Sequence, residues 1–186
     1  MFLTLPNAIT VLRLLGIPLF LYLLLVSGQD LAALVVLVLG GGTDWLDGWV
    51  ARRLGQQSRI GELLDPVADR LYILATLAAF TAREIVPWQL TAALLARELV
   101  LLVALALLRR VGYGPLPVHY LGKTATLVLL AAFPALLLAT AVPTATGWAD
   151  PLGWALAWWG LVLYWAAGVL YLAQTAQLLR REGGRA

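Results

Sequence analysis

There is no cysteine in this 186-residue chain. Disulfides, thiolate chemistry and zinc–thiolate sites are therefore excluded. Histidine is nearly as scarce, since His119 is the only one. Alone it supports neither a triad nor a metal site, and a lipid-headgroup contact is the most it offers. Charge is thin as well, at 12% of residues against 62% hydrophobic. So few polar groups could not cover a soluble domain of this size. The balance indicates an integral membrane protein, a single bundle over 1–186 without a separate soluble domain. The N-terminal MFLTLPNAIT lacks a basic n-region and a small-residue cleavage site, so it reads as mature sequence. No internal repeat is evident, which argues against a transporter built from inverted repeats.

What the chain does have is long apolar runs. Six spans fit, near 7–27, 31–52, 60–80, 86–109, 120–141 and 152–179, each close to the ~20 residues a helix needs to cross hydrocarbon. Between them stand Ser27-Gly28, Gly55, Pro87, the run from Gly112 to Pro117, Pro143 to Gly147, and Pro151 to Gly153, all expected breakers. Arg52, Arg53 and Arg59 flank the second connection, Arg109, Arg110 and Lys123 the fourth, and Arg180, Arg181 and Arg185 the tail. The opposite connections carry only Arg83. The positive-inside rule then puts both termini on the cytoplasmic side of the inner membrane, with Trp148, Trp154, Trp158 and Trp159 in the outer aromatic belt. This topology accounts for the formal net charge of +3 without a nucleic-acid partner.

Against that background one stretch stands out. Asp44 and Asp47 are spaced i, i+3 at the end of one apolar segment; Asp65 and Asp69 are spaced i, i+4 at the start of the next. Each pair shares a helical face. A short polar turn between the helices would fold them side by side and let all four acids converge. Four carboxylates together in hydrocarbon repel one another unless a cation neutralises them. Divalent metal is the simplest answer. The bland alternative, structural salt bridges to Arg52, Arg53, Arg59 and Arg70, leaves the paired spacing and the small Gly48 and Ala51 unexplained.

The full pattern is Asp44-x2-Asp47-Gly48-x2-Ala51-Arg52, eight residues, then Gly61-x3-Asp65-x3-Asp69. It resembles, position for position, the signature of the CDP-alcohol phosphatidyltransferases. The resemblance implies an all-α six-transmembrane-helix bundle, often homodimeric, holding two ions of Mg²⁺ or Mn²⁺. It implies Asp44, Asp47, Asp65 and Asp69 as metal ligands, with Asp69 also the general base. It implies Gly48, Ala51, Arg52 and Ser58 as contacts of the CDP moiety, with Asn7 and Thr10. Independently, Gly48 and Ala51 would let a nucleotide approach the backbone closely, and Arg52 offers a planar charged fork for phosphate. Asn7 and Thr10 suit helix capping after Pro6 equally well. Gly61 reads as a packing or turn residue.

Arg97-Glu98 falls mid-span and Gly122-Lys123 starts the fifth span. In the family, Arg and Lys at such places bind the acceptor's phosphate, so Arg97 and Lys123 are the expected acceptor contacts. A pair between Arg97 and Glu98 made only to neutralise charge in the bundle is the competing reading. Arg13, within the first span, is a candidate to face the site, and its partner is not fixed by the sequence.

The implied activity is phospholipid biosynthesis: transfer of a phosphatidyl group from CDP-diacylglycerol to an alcohol, releasing CMP. Segments such as LLDPVADRLYILATL and LLAREL resemble both the glycerol-3-phosphate-accepting and the phosphatidylglycerol-accepting branches. The run from Leu99 to Leu108 is wholly apolar and Ala125 stands where a second lysine is expected for the former. That favours phosphatidylglycerol, a singly charged acceptor with lipid tails. Glycerol-3-phosphate is the alternative, and a membrane transporter with an acidic pathway is the alternative of another class.

Overall fold

The structure, a computed structural model, describes the backbone of residues 5–54, 61–113 and 120–183, and the side chains of 12–42, 70–113 and 120–180. Among the described residues it is all helical: α1 Leu5–Leu21, continued by a π-helical turn Tyr22–Val26; α2 Asp30–Leu54; α3 Gly61–Ala82; α4 Trp88–Arg110; α5 Tyr120–Ala141; and α6 Thr146–Gly183. Among the described residues three, Trp88–Arg110, Tyr120–Ala141 and Thr146–Arg180, are long and apolar enough to cross a membrane. The described parts of the first three helices are the apolar stretches Leu12–Val26, Asp30–Gly42 and Arg70–Ala82.

The breakers act as their chemistry requires. After α1 the chain reverses at Gly28, whose φ of 64° is open to glycine. Pro87, extended at φ −69° and ψ 145°, precedes α4. Helices α3 and α4 end in the same way. The Ile85 amide donates to the Phe80 carbonyl and the Glu84 amide to Thr81; Tyr113 donates to Leu108 and Gly112 to Arg109. Both are Schellman ends, which need a left-handed residue at the turn. Gly112 supplies it at φ 81° in one; Glu84 does so at φ 57° in the other. Pro151 does not break its helix, contrary to expectation: α6 starts at Thr146 and runs through it. A proline ring pushes against the carbonyl four residues back. Here that is Gly147, at the exposed start of the helix, where the carbonyl can tilt outward.

Packing divides the chain into two compact units, Met1–Val86 with Phe133–Pro151 and Pro87–Ala132 with Leu152–Ala186. In the first, α1 packs against both α2 and α3. Its core includes Phe20, Leu24, Leu37, Leu77 and Phe80, all nearly inaccessible. Phe80 meets Phe133 edge to face, with ring centroids 5.7 Å apart, the favoured geometry for an aromatic pair. Thr146 Oγ1 donates to the Ala139 carbonyl at 2.7 Å and joins the start of α6 to the end of α5. In the second unit, Leu90, Leu94, Ala104 and Leu108 form the buried stripe of α4, while Leu99, Leu102, Val103 and Leu107 are exposed. Lipid tails are as apolar as these side chains, so association here rests on close packing of small residues. Gly160 shows this: a Cβ on it would come 2.7 Å from the Leu129 side chain and 3.3 Å from the Leu129 amide nitrogen.

Candidate active site

Two contacts fix the relation of α2 to α3. At one end Arg83 pairs with Asp30, Nη1 to Oδ1 and Nη2 to Oδ2, both 3.1 Å; its Nη1 also donates to the Leu24 carbonyl. Seven residues along α2, the Tyr72 hydroxyl donates to the Leu37 carbonyl at 2.5 Å. Its ring lies where a Cβ on Gly40 would stand, 2.6 to 2.8 Å from the nearest ring and hydroxyl atoms. Residue numbers rise along α2 as they fall along α3, so the helices are antiparallel. The absence of a side chain at Gly40 lets the tyrosine reach the α2 backbone.

The acids belong to the continuation of this pair. Asp44 and Asp47 lie on α2, four and seven residues after Gly40; Asp69 and Asp65 lie on α3, three and seven residues before Tyr72. Those are the spacings of one helical face. Asn7 and Thr10 lie on α1, and Gly48, Ala51 and Arg52 on α2. The side chains of all these residues fall outside the described set, as do Ser58 and His119 altogether. Among the described residues no group of three or more His, Cys, Asp or Glu could hold a metal. A cysteine-free chain whose candidate ligands are carboxylates has the oxygen donors that suit Mg²⁺ or Mn²⁺ rather than softer ions.

Arg13 lies close to this face. It is buried, 4% exposed, and lines a cavity of about 250 Å³ with Gly16, Val36, Gly40 and Tyr72. A cation so enclosed is expensive unless its surroundings are polar or acidic.

The expected acceptor contacts lie in the second unit. Arg97 Nη1 meets Glu98 Oε1 at 2.8 Å, so the neutralising pair is present. It is part of a larger cluster. The guanidinium carbon lies 3.9 Å from the centroid of the Tyr164 ring, Nε donates to the Tyr164 carbonyl at 3.4 Å, and the Tyr164 hydroxyl donates to Glu98 Oε1. Lys123 is exposed, its ammonium 5.8 Å from the Tyr120 ring. Sequence reasoning passed over Gly40, Tyr72 and Tyr164. Gly40 opens a three-glycine run and Tyr72 follows Asp69 by one turn, so both had a signal; Tyr164 sits in WWGLVLYW, among belt-like aromatics, and had none.

The sequence profile of CDP-alcohol phosphatidyltransferases matches residues 3–166, and the chain belongs to this family of enzymes. Over 97% of its length it is 52% identical to the cardiolipin synthase (CMP-forming) of Streptomyces coelicolor, covering 86% of that protein. It is 41% identical, over 96% of its length and 86% of the relative, to a putative cardiolipin synthase of Mycobacterium tuberculosis. It is also 30% identical, over 72% of its length and 76% of the relative, to the CDP-diacylglycerol–glycerol-3-phosphate 3-phosphatidyltransferase of Bacillus subtilis.

Proposed function

We propose that this enzyme makes cardiolipin, transferring the phosphatidyl group of CDP-diacylglycerol to phosphatidylglycerol and releasing CMP. The observation that carries the site is the antiparallel register of α2 and α3. Continued from Asp30–Arg83 and Gly40–Tyr72, it supports a reading in which Asp44 stands level with Asp69 one turn on, and Asp47 level with Asp65 the next turn on. Four acids in that register would suit a pair of divalent cations. Bound there, such ions neutralise the pyrophosphate and the charge developing on the leaving phosphate.

The residues of the chain do the rest. Asp69 takes the proton from the acceptor hydroxyl. That oxygen forms a bond to the lipid-linked phosphorus, while the bond from this phosphorus to the bridging oxygen breaks and CMP leaves. Arg52 and Ser58 hold the nucleotide phosphates and ribose side, with Gly48 and Ala51 giving room against α2; Asn7 and Thr10 contribute from α1. Arg97 and Lys123 receive the acceptor's phosphate. The whole chain acts as one membrane domain with the site and both termini cytoplasmic. The continuous family match across 3–166 and the basic residues around 52–59, 109–123 and 180–185 support that reading.

Phosphatidylglycerol is favoured as acceptor by the apolar run after Glu98, by Ala125, and by the greater similarity to proteins named cardiolipin synthase. Purified protein given CDP-diacylglycerol, Mg²⁺ and one acceptor at a time is expected to release CMP with phosphatidylglycerol and form cardiolipin. Release with glycerol-3-phosphate alone would overturn the acceptor. Asp69→Asn is expected to fold and release no CMP; full activity would remove it as the base.

A further inference from the structure

Arg97 and Glu98 are neighbours in sequence on one helix, and adjacent helical positions point about 100° apart. Their side chains nevertheless meet. The third member of the cluster, Tyr164 from α6, spans the gap: its ring lies under the guanidinium and its hydroxyl reaches the carboxylate. Among the described residues the hydrogen bonds of Arg97 use Nε and Nη1 only. The Nη2 edge of a planar fork, itself suited to phosphate oxygens, is left for another acceptor. A pair serving only to neutralise charge would gain nothing from this arrangement, because Glu98 alone meets that need.

We infer that Tyr164 is a positioning residue: its ring and hydroxyl hold the Arg97 guanidinium at a fixed tilt, with the Nη2 edge presented to an anion. That the anion is the phosphodiester of the acceptor lipid rests on the function proposed above. The ring supplies a flat, weakly attractive face that fixes the plane of the cation. Glu98 keeps the neighbouring edge occupied, so that an incoming phosphate takes the remaining one.

The test uses the full chain in detergent micelles and measures CMP release while each substrate is varied. Tyr164→Leu removes ring and hydroxyl, and is expected to raise the KM for phosphatidylglycerol about tenfold while leaving the KM for CDP-diacylglycerol unchanged. Tyr164→Phe keeps the ring and is expected to raise the acceptor KM by about threefold. An acceptor KM unchanged in both variants, or equal rises for both substrates, overturns the proposal. Should Tyr164→Leu fail to fold, Tyr164→Phe carries the test, and a wild-type acceptor KM overturns the proposal. If the wild-type protein releases no CMP with phosphatidylglycerol, the function proposed above fails. Binding of that lipid, followed by native mass spectrometry, then decides: weaker binding to Tyr164→Phe upholds the positioning role, and equal binding overturns it.

Discussion

Tyr72 fills the space that a side chain on Gly40 would need, since a Cβ there would stand 2.6 Å from the phenol oxygen. Gly40→Ala must therefore push the tyrosine, and with it α3, away from α2. A loss of about 1–3 kcal/mol is expected from such overpacking, read as a lower thermal midpoint in detergent. CMP release should fall more than stability does, because the displaced helices carry the acids. Adding Tyr72→Ala is expected to recover part of the lost stability; a double-mutant cycle without coupling would contradict the contact.

The register of α2 and α3 can be tested without any activity measurement. Since the chain holds no cysteine, two introduced ones have no competitors. Asp44→Cys with Asp69→Cys is expected to form a disulfide on mild oxidation, which requires Cα atoms within ~7 Å. Asp44→Cys with Leu71→Cys is the control, because Leu71 is exposed and two residues off the shared face. Equal cross-linking of both pairs would refute the register.

Arg83 joins α3 to α2 through Asp30 and to the end of α1 through the Leu24 carbonyl. The pair is only partly buried, at 30% and 17% side-chain exposure, so solvent screens some of its attraction. Arg83→Ala is expected to cost roughly 1–3 kcal/mol through the lost charged hydrogen bonds, with a lower midpoint as the readout. Because it lies at the far end of the helix pair from the acids, substrate KM values should stay near wild type in the folded fraction.

Glu84 and Gly112 occupy the same position in two matching helix ends, yet only one is glycine. Glu84→Gly is expected to stabilise by up to about 1 kcal/mol by relieving the left-handed backbone. Gly112→Ala should destabilise by a similar amount. Comparative thermal melts of both variants check the pair of signs.

Much of the fold was legible because the membrane makes helix the default, and breakers then mark the ends. Gly28, Pro87 and Gly112 mark the ends that the structure has. Pro151 misled because proline is disruptive only where the carbonyl it displaces is confined, and Gly147 is exposed. Of the candidate site, spacing singled out the acids and small residues, and the backbone positions of these residues on α2 and α3 relate them to Gly40 and Tyr72. The antiparallel anchor itself could not be read, since nothing in a one-dimensional string shows that Tyr72 reaches the Leu37 carbonyl. Tyr164 was hidden for a different reason: its ring face and hydroxyl are those of any interfacial tyrosine until the Arg97 guanidinium is seen over the ring.

At 38 residues, α6 measures about 57 Å, nearly twice the ~30 Å of a hydrocarbon core. Even a steep lean of the rod absorbs only part of that excess. Several of its turns must emerge into the headgroup layer or water. Spin labels placed along 146–180 should therefore pass from polar to dry to polar surroundings, and the two crossings would measure the local thickness of the bilayer around this enzyme.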